Sequence, residues 1–88
     1  MAYEHGDSVH REIGADESVS NVVVEAVSEA RGVEMTELSP LTRTVDCDAL
    51  DALYETLGAD GSVSFVYEGL DVVVSGSGVV TVREPRRD

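Results

Sequence analysis

Gly76-Ser77-Gly78 is the first place to look for chemistry, because a glycine-rich loop cradles phosphate when a strand leads through it into a helix. Strand pattern lies on both sides of this one, so a hairpin turn is expected instead. His5, His10 and Cys47 are potential metal ligands, but their spacing matches no Cys/His site. Asp46, Asp48 and Asp51 lack the alternating oxygen ligands, the Gly and the terminal Glu of a calcium loop; helix capping and an acidic surface account for them. Eighteen acidic residues make carboxylate pairs inevitable by chance, so no pair stands out as a general acid and base. No Ser/His/Asp or Cys/His set carries a local motif. Tyr54, Phe65 and Tyr67 fall on apolar faces and read as core rather than as a ligand platform. No catalytic, cofactor-binding or metal-ligating residue is assigned, and neither an enzyme nor a cofactor is expected.

The charge balance says more. Eighteen acidic residues face six basic ones for a formal net charge of -12, all six basic residues are Arg, and Lys is absent. Such a chain repels itself in dilute buffer. At about 1 M salt the Debye length falls to about 3 Å and the repulsion is largely screened. Carboxylates hold water where water is scarce, whereas the Lys stem adds apolar surface. Acid-rich and Lys-free together predict a cytoplasmic protein of an organism that balances external salt with internal salt. No Lys/Arg stripe exists, so nucleic-acid binding is disfavoured. Arg83, Arg86 and Arg87 form the one basic cluster, in a tail expected to be solvated. Cys47 is the single Cys, which excludes an intrachain disulfide. No apolar run approaches the roughly 20 residues of a membrane helix, and the polar start does not resemble a signal peptide.

Eighty-eight residues, 42% of them hydrophobic, predict one domain spanning 1–88, with residues 1–7 and 84–88 flexible. Ser8 to Ile13 alternates weakly, which suits either a short extra strand or an extended arm. Ser18 is the expected N-cap of a first helix, in which Val19, Val22, Val23, Ala26, Val27 and Ala30 form an apolar stripe ending at Gly32. A connector follows, with one helical turn at 36–39 stopped by Pro40. Its Val33, Met35, Leu38 and Leu41 are expected to plug the gap between helices. Asp46 caps a second helix whose apolar face is Leu50, Leu53, Tyr54 and Leu57, with Gly58 as its stop and Asp51 and Glu55 pointing away.

Residues 62–83 read as a three-stranded antiparallel meander. A two-residue turn at Glu68-Gly69 pairs Tyr67 with Leu70. A three-residue turn at 76–78, with Gly78 left-handed, pairs Val74 with Val80 and Val72 with Val82. Val63, Phe65, Tyr67, Leu70, Val72, Val74, Val80 and Val82 then share one face, and a one-residue slip in either turn destroys that set. The opposite face is mixed: Ser64, Val66, Asp71, Val73, Ser75, Val79 and Thr81. The expected fold is α+β and two-layered, with two helices on one face of an antiparallel sheet of three strands, or four if residues 8–13 join.

In this order, residues 18–82 resemble the haloarchaeal (halobacterial) output domain family, type 1. The resemblance is carried by Glu-Ala-Arg-Gly-Val at 29–33, Thr-Glu-Leu-Ser-Pro-Leu at 36–41 and Val-Asp-Cys-Asp-Ala-Leu-Asp-Ala-Leu at 45–53. It extends through Val-Ser-Phe-Val-Tyr-Glu-Gly-Leu-Asp-Val-Val-Val at 63–74 and Gly-Val-Val-Thr-Val at 78–82. Cys47 departs from it, standing where the family prefers Pro after the capping Asp. The resemblance implies an output role in haloarchaeal signalling and no defined reaction. A non-enzymatic protein-interaction module is therefore expected, the alternative being a small-molecule sensor or enzyme with a pocket between helices and sheet. Its partner is an unidentified protein or a second copy in a homodimer. The candidate contact is Val66, Val73, Val79 and Thr81 on the mixed face.

Overall fold

A computed structural model describes residues 8–84. His5, Arg86, Arg87, the expected loose end at 1–7 and all but Glu84 of the one expected at 84–88 lie outside them. The elements run β1 (Val9–Glu12), α1 (Val19–Arg31), two single 3-10 turns at Met35–Glu37 and Leu41–Arg43, α2 (Cys47–Thr56), β2 (Ser62–Tyr67), β3 (Leu70–Ser75) and β4 (Val79–Arg83). The strands form one antiparallel sheet in the order β1-β4-β3-β2. Residues 8–13 therefore contribute a fourth strand, with Val9 opposite Val82 and Glu12 opposite Val79. The fold is α+β, as the periodicities imply.

The meander has the predicted register: Tyr67 pairs with Leu70, Val72 with Val82 and Val74 with Val80. Glu68 (φ 55°) and Gly69 (φ 75°) both take positive φ, which gives a two-residue turn the twist that suits a hairpin. Six of the eight inward residues are buried, and Val72, Val74, Val80 and Val82 are fully so. Val63 and Phe65 are only half-buried, because α1 lies over β1, β4 and β3, α2 packs beside α1, and neither helix covers β2 extensively.

Ser18 caps α1 by accepting from the Asn21 N–H at 3.2 Å, and Gly32 closes it in the left-handed conformation. Val19, Val22, Val23, Ala26 and Val27 are buried, whereas Ala30, beside an open depression at the end of the helix, is exposed. Asp46 caps α2 through the N–H groups of Asp48 (3.0 Å) and Ala49 (3.2 Å). α2 stops at Leu57, one residue before the expected Gly58. Leu50 is its one buried residue and Leu53 is largely exposed, so its apolar face is used over half its width. In the connector the first turn sits one residue earlier than expected, and Pro40 opens a second turn that the sequence pattern did not suggest. Leu41 plugs the core, Val33 and Leu38 are half-buried, and Met35 faces outward.

Asp51 does not simply point into solvent. Its carboxylate accepts from both the backbone N–H and the hydroxyl of Ser20, each at 3.3 Å, so α2 supplies a second cap to the start of α1. Arg11, on the helix side of β1, reaches Glu25 (3.5 Å) and Glu29 (3.3 Å), one helical turn apart on α1. These exposed pairs orient the strand on the helix more than they stabilise it.

Candidate interaction face of the sheet

Both helices lie on one face of the sheet, and the other is bare. Burial alternates along β3 and β4, with Val73, Val79 and Thr81 on the half-exposed parity. Register places the outward residues in three rows. His10, Thr81, Val73 and Ser64 cross the sheet in one; Glu12, Val79, Ser75 and Ser62 in the next; Arg83, Asp71 and Val66 in the third. Val66, at the outer end of its row on β2, is 58% exposed, the most open large apolar side chain among the described residues. The four candidate contact residues thus share one face without being contiguous: Val73, Val79 and Thr81 lie centrally, and Val66 at the margin.

His10 belongs to this face, where its Nδ1 stands 3.2 Å from the Thr81 hydroxyl. Cys47 begins α2 and packs on the core from the other layer, so no ligand set forms between the two. Among the described residues no group of three or more His, Cys, Asp or Glu is placed to hold a metal ion. Tyr67 is buried and Phe65 half-buried against the core. Val23, Ala26, Val27, Val72, Val74, Val80 and Val82 meet between the layers with no exposed surface, leaving that space filled. An open depression lies where the end of α1 meets the sheet, lined by Val9, Glu29, Ala30, Leu70 and Val82.

One polar cluster near Val66 has no counterpart in the sequence pattern. The Glu68 carboxylate accepts from the Ser39 N–H at 2.6 Å, and Arg31 donates to the Glu68 carbonyl at 3.2 Å with its guanidinium 3.9 Å from the carboxylate. The Tyr67 hydroxyl donates to the Ser39 carbonyl. The β2–β3 turn is thereby bolted to the connector and to the end of α1. Glu68 in the turn slot usually taken by Asn or Asp is the one local signal for this, and it does not say what the carboxylate meets.

The Ser39 backbone N–H first, then the Ser39 side chain and Arg31, hold the Glu68 carboxyl below its ordinary value of 4.5. A depressed carboxyl stabilises the fold fully above its unfolded value and loses that contribution as pH falls through the folded one. Glu68→Gln should therefore lower the urea midpoint at pH 7 and leave it unchanged in strong acid. Equal loss at both pH values would assign the effect to shape rather than charge. Burial first, then the charges of Glu68 and Cys47, push the Tyr67 phenol above its ordinary 10.0.

Residues 15–84 match the family model described as Halobacterial output domain 1. The chain belongs to that family. The match takes in α1 through β4 and stops short of β1, so the fourth strand of this Halobacterial output domain lies outside the matched segment. No curated protein and no solved structure matches the chain. Among the described residues no helix is long and apolar enough to cross a membrane.

Proposed function

We propose that this domain is a non-enzymatic interaction module serving signalling or regulation in the cytoplasm of a haloarchaeon, with the bare sheet face as its protein contact. The family description supports an output role. The observation that carries the contact is the one-sided layering: all helical cover lies on one face, leaving Val66, Val73, Val79 and Thr81 outside it in a chain of net charge -12. Apolar side chains left exposed on an uncovered sheet face are what a protein partner covers. The filled space between the layers favours this reading over a small-molecule pocket there.

The test is co-purification from native extract held at multi-molar salt, using the wild type beside Val73→Asp and Val79→Asp. A partner retained by the wild type and lost by both variants is the expected result. No reproducible partner, combined with a ligand that raises the unfolding midpoint in proportion to its concentration, would favour a sensor instead. The habitat has its own check. The unfolding midpoint should climb as salt rises from dilute buffer to about 1 M, where the Debye length is about 3 Å and carboxylate repulsion is screened. A flat or falling response would remove the halophilic reading.

A further inference from the structure

The two edges of the sheet are built differently. β1 is four residues long, carries His10, Arg11 and Glu12, and is tied by Arg11 to α1. β2 is six residues long and reads Ser-Val-Ser-Phe-Val-Tyr, with no charge, no Pro and an unbroken register that excludes a bulge. Charge, Pro, shortness and bulges are the usual guards of an open edge, and β2 has none of them. In a chain where 27% of residues are charged, a six-residue edge without one is an exposed template.

The hairpin geometry fixes which backbone groups are open. A two-residue turn makes Tyr67 and Leu70 a hydrogen-bonded pair, so Tyr67, Phe65 and Val63 bond inward to β3. Ser62, Ser64 and Val66 then direct their N–H and C=O groups outward. Among the described residues, none of those groups meets another backbone partner. Apolar surface flanks this row on both sides, with Val66 58% exposed on the bare face and Phe65 and Val63 half-buried on the helix side.

We propose that the β2 edge binds the β2 edge of a second copy, antiparallel about a two-fold axis at Ser64, giving one continuous sheet through both subunits. The segment complements itself in that register. Val63 lies opposite Phe65 of the second copy on the helix side, completing the side chains that α1 and α2 leave half-covered. Ser62 lies opposite Val66 of the second copy on the other face. Ser64 exchanges both backbone bonds with its equivalent. The self-complementary register names a second copy as the occupant, and charge decides which edge admits it. At net -12, two copies approach most easily through the strand that brings no carboxylate, whereas β1, β3 and β4 each carry charged side chains. The contact leaves the bare face free and doubles its extent, so it stands independently of what that face binds.

Sedimentation of the full chain in molar salt tests this. The wild type should run at twice 9.4 kDa at high concentration. Ser64→Pro removes an outward N–H that no β2–β3 bond uses and should weaken the dimer by a factor of about 10 or more. Ser64→Lys leaves the backbone intact and sets like charges across the axis; it should weaken the dimer in the same direction, and an equimolar mixture with Ser64→Glu should restore it. Val79→Lys, in the middle of the bare face, should leave it unchanged. A wild type that stays monomeric at about 1 mM overturns the proposal, as does a dimer broken by Val79→Lys but indifferent to both Ser64 variants.

Discussion

Gly76→Ala should be the most damaging single-methyl change in the domain, costing about 3 kcal/mol or more. A Cβ at this position would lie 2.0 Å from the Gly58 carbonyl oxygen and 2.9 Å from its carbon. Those are backbone atoms and cannot swing aside as a long side chain would. They are also held in place: Gly61 donates to the Gly58 carbonyl at 2.9 Å, and Gly76 donates to the Gly61 carbonyl at 2.8 Å. The added methyl must therefore push the β3–β4 turn away from the segment linking α2 to β2, breaking the contact that seats one on the other. Domains of this size are stable by roughly 0.05–0.15 kcal/mol per residue, so the loss is a large share of the whole. Gly69→Ala is the comparison. Its φ is 75° with open space around it, and its strain should cost about 1–2 kcal/mol. Urea unfolding of both variants in high salt decides the order; a Gly76→Ala midpoint at or above that of Gly69→Ala would show that the turn yields.

Tyr67→Ala should cost about 3–5 kcal/mol, the range for deleting a buried aromatic. Tyr67 is 2% exposed and the bulkiest of the fully buried side chains, in a core otherwise made of Val, Leu and Ala. Few neighbours are large enough to collapse into the space it leaves. Tyr67→Phe separates packing from hydrogen bonding. It keeps the ring and removes the donor to the Ser39 carbonyl, for an expected cost of about 0.5–1.5 kcal/mol. If the Phe variant proves as damaged as the Ala variant, the hydroxyl rather than the ring holds the connector against the sheet.

These two positions mark how far the sequence could be read. Tyr67 was legible as core because the Glu68-Gly69 turn and the parity of β2 and β3 admit one register only. Gly76 was legible only as a turn residue; its close approach to Gly58 joins segments far apart in the chain, and no local pattern encodes it. The helix caps at Ser18 and Asp46 were local and therefore visible, while the second cap on α1, supplied by Asp51 from α2, was not. Periodicity assigned Leu53, Ala30, Val63 and Phe65 to apolar faces, but Leu53 and Ala30 are exposed and Val63 and Phe65 only half-buried, because periodicity does not say where the opposite layer ends. That limit depends on which strands α1 lies across, and hence on β1 having joined β4. The candidate face itself was readable as a set of residues. Its bareness was not, since that follows from both helices choosing the same side.

The pairing of β1 with β4 also closes the chain on itself. Val9 sits opposite Val82, so the entering and leaving backbones run side by side, one strand spacing or about 4.8 Å apart, at the same end of the sheet. A segment attached before Ser8 and one attached after Glu84 would start from neighbouring points. The β2 edge lies at the far side of the sheet from β1, with β4 and β3 between them. The pairing is also a latch. The His10–Thr81 contact spans 71 positions of chain, so the sheet reaches full width only after both ends have been made and brought together.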